Sequence, residues 1–198
     1  MIRLSLIIWL LFLSGTLIPK GVAAENPPTT QSLPAQAVVR FFGTSTLHDF
    51  GGQLPAQPFS LILSNGVWFA SAEVLSGRMA TANEKRDRKM HQMLGTNAFP
   101  EIRGVVAGAP LPGPAGTNVT LKLIIRDQTN AVPVRISAWA ETSHEIKFHA
   151  DWEVSLEDFG LKPPSVLGVI RVGDRVKLEA DVTANKPASA STPPTPPP

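Results

Sequence analysis

Three residues near the start of the chain carry the side chains of a hydrolytic triad. Ser45, His48 and Asp49 lie within GTSTLHDF, residues 43–50. A triad serine usually stands on a sharp strand-to-helix turn between two glycines, and here only Gly43 is present. Consecutive side chains on one strand also point to alternate faces, which keeps the three groups apart. We therefore interpret them as turn residues that bond backbone amides, and we expect no enzymatic activity.

The histidines do not have the spacing of a metal site. His144 and His149 are five positions apart in the sequence, so on one strand they would face opposite sides. The chain has no cysteine, which excludes thiolate nucleophiles, disulfides and zinc sites built from cysteine. We expect no metal and no cofactor.

One charged segment, EKRDRKMHQMLGTNAFPEI, contains methionines at helical spacing. Met90, Met93 and Leu94 would share one face, which predicts a helix over about residues 82–94. The flexible thioether of methionine adapts to irregular apolar surfaces. Two interpretations remain open for this face: it covers an apolar guest, or it packs against the end of the fold.

Polar residues at the start of this helix are candidates for binding a head group. Arginine suits phosphate because its guanidinium is a planar fork, so Arg86 and Asp87 are the first candidates and His48 is a third. The alternative is that the first half of the helix is an ordinary solvated face.

Most of the other segments alternate apolar and polar residues with a period of two. In EIKFHADWEV, Phe148 and Trp152 share one face, and Lys147 and His149 share the other. Such alternation is typical of antiparallel sheet with one buried face. About eight segments of this kind predict an all-β fold, a closed antiparallel barrel with one lid helix, of a size that can enclose one small ligand.

Several of the inward positions are alanine, which leaves two interiors open. The barrel is either hollow, or tapered and filled by larger residues opposite the alanines. The positions that we expect to contact a guest are Trp68, Ala70, Leu121, Leu123, Ile136, Ala138, Phe148, Trp152 and Leu178 from strands, and Met90 and Leu94 from the helix.

Both ends of the chain differ in composition from its middle. Arg3, an apolar run and the small residues before position 25 are typical of a secretory signal peptide. Proline and threonine follow, and proline dominates the last residues. The predicted division is a signal peptide (1–24), a linker (25–36), a domain (37–184) and an extended tail (185–198).

The charge of the exported form gives no indication of a nucleic-acid partner. The whole chain is formally +2. Removing Arg3 and Lys20 with the leader leaves 16 basic against 16 acidic residues. Because no basic stripe with interleaved aromatic residues is present, we expect no binding to nucleic acid.

Three stretches together resemble the YceI-like family of exported proteins. They are the charged helical segment over residues 84–102, the segment EDFGLKPPSVLGVIRVGDRVKLEADV over 157–182, and the Leu-His-Asp-Phe motif within 43–52. The resemblance covers residues 37–184. It implies a lipocalin-like extended barrel whose helix lies against its mouth.

The resemblance also implies a function. Members of the family bind a polyisoprenoid or a similar amphiphile inside the barrel, and several are linked to envelope stress or to membrane b-type cytochromes. For this chain it implies a periplasmic, lipid-binding carrier without enzymatic activity. The alternative is a filled barrel that docks on an envelope protein or a membrane oxidoreductase such as a cytochrome. Association of two copies is left open.

Overall fold

The structure, a computed structural model, describes residues 30–113, 115–166 and 170–187. The predicted signal peptide lies outside the described residues, as do positions 25–29 and 188–198. The described elements are β1 (Thr30–Ser45), β2 (Phe50–Pro55), β3 (Phe59–Ser64), β4 (Val67–Leu75), α1 (Glu84–Leu94), β5 (Glu101–Pro110), β6 (Thr117–Ile125), β7 (Gln128–Glu141), β8 (Glu145–Ser155), β9 (Ser165–Val166) and β10 (Ile170–Asn185).

The sheet closes on itself. Strands β1, β3, β4, β5, β6, β7, β8 and β10 pair in this order, every pair is antiparallel, and β10 returns to β1. At this closing seam Val39 lies opposite Ala180, and Phe41 lies opposite Leu178. The short β2 pairs with the second half of β1, and β3 pairs with its first half. These two strands therefore follow one another along β1 and together count as one strand of the wall. The predicted closed antiparallel barrel of eight strands with one helix is confirmed.

The interior contains two apolar clusters at opposite ends of the barrel. One includes Trp68 and Phe148, with Trp139 packed against it, and we call it the aromatic end. The other includes Met90 and Leu94 of α1, and we call it the helix end. Side chains alternate between the lumen and the outside along each strand, so both clusters follow directly from the period-two pattern.

The start of β1 corrects the predicted linker. Residues 30–36 belong to the strand, and Leu33 and Ala35 are buried inside the barrel. Pro34 is tolerated because β1 pairs only with β3 over its first residues, and pairing with β10 begins at Ala35. Proline has no amide hydrogen to donate, so it suits a strand segment that is bonded on one side only.

The end of the domain also lies later than predicted. Strand β10 runs to Asn185, and Lys186 still belongs to the fold. The Lys186 amide donates to the carbonyl of His144 at 2.7 Å, and its ammonium lies 2.6 Å from the Glu141 carboxylate. The first residue of the predicted tail, Asn185, is therefore the last residue of β10.

A bulge in β7 corrects the predicted position of Ala138. Ser137 pairs with His149 and Ala140 with Lys147, so β7 has one residue more than β8 between these pairs. Ala138 is the extra residue of this bulge: its φ is 51° and its side chain is exposed. The extra residue reverses the alternation. Trp139 consequently turns inward and stacks on Phe148, and the inward prediction for Ala138 is wrong.

Helix α1 begins at Glu84, about two residues later than predicted, and ends at Leu94 as predicted. The Asn83 side chain accepts a hydrogen bond from the Arg86 amide at 3.1 Å, which caps the first turn. Gly95 follows the last residue with φ 65° and ends the helix in the left-handed conformation. Met90 and Leu94 are buried on the side that faces the barrel.

Candidate functional site

The barrel encloses a cavity of about 240 Å³ that extends between the aromatic end and the helix end. Typical ligand pockets measure about 300–1,000 Å³, so this volume lies just below that range. Of the two interiors left open by the sequence, the structure has the hollow one. All of the residues expected to contact a guest, except Ala138, line the cavity, namely Trp68, Ala70, Met90, Leu94, Leu121, Leu123, Ile136, Phe148, Trp152 and Leu178.

Small residues create much of this space. Ala70 and Ala72 line the cavity from β4, and Ala150 and Ala180 line it from β8 and β10. Ala72 lies opposite Gly104 of β5, which also lines the cavity. The side chain of Leu121 occupies part of the space over Gly104, while Ala72 projects no more than a methyl group.

Three large rings fill the aromatic end. The rings of Trp68 and Phe148 have centroids 5.7 Å apart and are tilted by 57°. Trp139 stacks on Phe148 with centroids 5.2 Å apart. The indole nitrogen of Trp68 donates to the carbonyl of Pro110 at 3.2 Å, which fixes the ring position. Aromatic pairs of this kind pack tightly and restrict one another.

At the helix end, the wall is formed by flexible side chains and by loops. Met90 and Met93 of α1 line the cavity together with Met79, which precedes the helix. Pro164, from the connection between β8 and β10, and Val172, near the start of β10, also line the cavity. This end therefore combines strand residues with a helix and a connection that lie outside the regular sheet.

Arg86 is the one charged residue among the described residues that line the cavity. Its Nε donates to the Thr81 hydroxyl at 2.7 Å, and Nη2 donates to the Thr81 carbonyl at 2.8 Å. Its Cζ lies 4.7 Å from the centroid of the Phe50 ring. Of the two interpretations left open for the start of the helix, an ordinary solvated face does not describe Arg86, because it is half-buried and lines the cavity.

The other two head-group candidates lie elsewhere. The Asp87 carboxylate accepts hydrogen bonds from the amide and the hydroxyl of Thr81, and it is not part of the cavity wall. His48 is exposed in the turn between β1 and β2, also away from the wall. There the Ser45 hydroxyl donates to the His48 carbonyl at 2.7 Å and accepts from its amide at 3.3 Å. Ser45 therefore acts as a turn residue.

A model of the YceI-like domain matches residues 34–184. The chain belongs to the YceI-like family. Two of the three stretches that carry the resemblance contribute to the helix end: Met90 and Leu94 come from the helical segment, and Phe159 and Leu161 come from the start of the segment 157–182. No curated protein matches the chain.

Two solved structures share the fold of this YceI-like chain. A polyisoprenoid-binding domain from Saccharophagus degradans, implicated in plant cell wall breakdown, is 11% identical and has a TM-score of 0.59. The alignment covers 78% of this chain and 99% of that domain. BcnA from Burkholderia cenocepacia is 17% identical with a TM-score of 0.58, over 75% of this chain and 96% of BcnA.

Within the described part of this YceI-like chain, no three His, Asp or Glu side chains come together as metal ligands. Over the same residues, no helix has the length and apolar character needed to cross a membrane.

Charged residues cover the outside of the closing seam of the YceI-like barrel. Arg40 Nη2 lies 2.7 Å from Asp181 and its Nε lies 3.4 Å from Glu179. His149 Nδ1 lies 2.8 Å from the other Asp181 oxygen. Hydrogen bonds from His149 and then Arg40 hold the pKa of Asp181 below its usual value. This network joins β8, β10 and β1.

Sequence reasoning missed two residues that shape the site. The inward position of Trp139 was not predicted, because strict alternation without the bulge places this residue outside. Thr81 is 5% exposed and organises Arg86, and its position just before a helix cap was the available signal. A polar side chain that is buried beside a helix start usually bonds the groups of the first turn.

Proposed function

We propose that this protein binds a single-chain amphiphile, isoprenoid-like or fatty, in its lumen and carries or sequesters it in the periplasm. The observation that supports this most directly is the apolar cavity of about 240 Å³ inside a closed barrel. The solved domain with the same fold that is described as polyisoprenoid-binding also supports it. The proposal includes export through the signal peptide expected over residues 1–24.

The wall of the cavity favours binding of a hydrocarbon chain. Burial contributes about 0.8 kcal/mol per methylene, so one five-carbon prenyl unit contributes roughly 3–4 kcal/mol. A few buried units outweigh the ordering of a flexible chain. Affinity should therefore increase with chain length until the lumen is full.

The lining also favours binding over catalysis. Among the described residues of the wall, none is a serine, a histidine or an acid that could act as nucleophile or base. The open lumen likewise favours a carrier over a filled module whose sole function is to dock on an envelope protein.

Filling the lumen tests the proposal. Ala72→Phe adds a ring opposite Gly104 on the cavity wall, whereas Ala140→Phe adds the same ring at an exposed position of the wall. We expect the gently purified wild type and Ala140→Phe to carry an amphiphile in native mass spectrometry. Ala72→Phe should lose it and should bind added fatty acid at least tenfold more weakly, because the ring occupies the space of the chain.

Circular dichroism of both variants controls for folding. If Ala72→Phe is folded and retains the bound mass, the lumen is not the binding site. If the wild type binds neither extracted nor added chains, the carrier function itself is refuted. Cell fractionation tests export separately, since a protein found only in the cytoplasm would contradict that part.

A further inference from the structure

The polar groups in the cavity wall are all hydrogen-bond donors. Besides Arg86, the described lining residues offer two indole N–H groups, those of Trp68 and Trp152. Trp68 donates to Pro110, while Trp152 Nε1 is buried and has no acceptor within the described structure. No carboxylate, hydroxyl or amide side chain is present in that lining. Among the side chains of this wall, Arg86 can therefore supply donors to an acceptor on a guest, whereas none of them offers a hydrogen-bond acceptor to an ammonium or another donor.

Arg86 has no carboxylate in direct contact within the described part of the chain. Among the described residues, no Asp or Glu side chain forms an ion pair with it. Thr81 accepts hydrogen bonds from two N–H groups of Arg86, and a guanidinium has five such groups. A cation beside an apolar cavity is costly unless an anion offsets it. The remaining donors can bind a carboxylate or a phosphate in the two-pronged geometry that arginine favours.

The surroundings hold this guanidinium in place before any guest arrives. The Thr81 hydroxyl donates its hydrogen to the Asp87 carboxylate. A lone pair on the same hydroxyl oxygen therefore accepts the hydrogen bond from Arg86 Nε. The Phe50 ring covers one face of the guanidinium at 4.7 Å from Cζ. Asp87 is thus a positioning residue that acts through Thr81. Such prior ordering reduces the entropy lost when a head group binds.

We propose that Arg86 binds the anionic head group, a carboxylate or a phosphate, of the amphiphile whose hydrocarbon chain lies in the lumen toward the aromatic end. This inference rests on the proposed function and adds selectivity to it. An anionic amphiphile should bind more tightly than a neutral one of equal chain length, and a cationic one should bind least. The anion alone lacks the buried chain and should not bind measurably.

A series of dodecyl compounds tests this selectivity on delipidated protein. Displacement of a fluorescent fatty acid would give the dissociation constants of dodecanoate, dodecyl phosphate, dodecanol and dodecylamine, all below their micelle concentrations. We expect at least one of the two anions to bind about tenfold more tightly than dodecanol. Acetate and inorganic phosphate should not displace the probe. Displacement by inorganic phosphate alone at micromolar concentration would overturn the proposal of an amphiphile head group.

A matched pair of charge deletions locates the effect. Arg86→Gln removes the cation in the wall, while Arg88→Gln removes an exposed cation of the same helix that pairs with Glu84 at 3.6 Å. We expect Arg86→Gln to weaken the preferred anion about tenfold and to leave dodecanol within twofold of wild type. Arg88→Gln should change neither constant. If Arg86→Gln does not fold, Arg86→Lys takes its place, because loss of the fork should still weaken the anion relative to dodecanol.

The outcomes separate this inference from the proposed function. Equal binding of dodecanol and both anions, unchanged in Arg86→Gln or Arg86→Lys, would overturn the head-group assignment and leave the carrier function intact. An equal loss of anion and alcohol in the variant would also overturn it, because it would indicate general damage to the lumen. Binding of no dodecyl compound by wild type would refute the carrier function.

Discussion

The two ends of the barrel lumen are closed by different kinds of side chain. At the aromatic end, the rings of Trp68, Trp139 and Phe148 pack against one another, and each comes from a strand of the closed sheet. At the helix end, Met90 and Met93 come from a helix that is connected to the sheet by loops. Stiff rings thus close one end, and flexible thioethers close the other.

This difference indicates that the two ends contribute differently to stability and to contact with a guest. Stacked rings fixed to a hydrogen-bonded sheet can move only if strands separate, so the aromatic end serves mainly the stability of the fold. Methionine side chains adjust their shape through three rotatable bonds. The helix end therefore suits contact with a variable guest, and Arg86 lies there.

The largest effect should follow from removing the ring shared by both aromatic contacts. Phe148→Ala leaves Trp68 and Trp139 without their common partner, and we expect a loss of about 3 kcal/mol in the free energy of unfolding. Urea denaturation followed by circular dichroism measures it. Phe42→Ala is the control, since Phe42 is 41% exposed and its removal should change stability by less than about 1 kcal/mol. A similar value for both variants would contradict the structural role of the aromatic end.

A smaller effect is expected at the helix end. Met90→Ala removes a buried side chain that already borders the cavity, and we expect a loss of about 2 kcal/mol in the free energy of unfolding. Gln92→Ala, at an exposed position of the same helix, should change it by less than about 0.5 kcal/mol. A loss larger than that of Phe148→Ala would reverse the comparison between the ends.

The fold could be predicted from the sequence because its alternation is regular and because three segments resemble one family. The turn at Asn65 and Gly66 was also predictable, since an Asn-Gly pair between alternating segments is typical of a hairpin. Both residues adopt the positive φ that such a turn requires, 51° and 77°. The start of β1 was not, because Pro34 suggests a break unless the one-sided pairing of that segment is known. Pairing partners are a tertiary property, and a single sequence does not give them.

The cavity could be predicted only in part. Residues before the bulge, such as Ile136, have the predicted orientation, while Ala138 and Trp139 are exchanged beyond it. One inserted residue is enough for this, because side chains alternate with a period of two. The direction of Arg86 also required the structure, since helical spacing places it beside exposed residues while Thr81 turns it toward the lumen.

The smallest effect concerns the outer seam, which spans both ends. The pKa values of Asp181 and Glu179 are lowered, Asp181 mainly by its hydrogen bond with His149 and Glu179 mainly by its hydrogen bond with Lys177. A lowered folded pKa means that the contribution to stability is complete above the unfolded value, about 4, and is lost as the pH falls through the folded value. The seam should therefore weaken below about pH 4.

Asp181→Asn tests this prediction, because it removes the carboxylate that Arg40 and His149 share. Since the seam is solvent-exposed, the effect should be small and should decrease with added salt. We expect the free energy of unfolding to decrease less between pH 5 and pH 3 in Asp181→Asn than in wild type. Asp127→Asn, in the exposed turn between β6 and β7, should keep the wild-type slope. An unchanged slope in Asp181→Asn would mean that the backbone ladder between β1 and β10 closes the barrel without help from these charges.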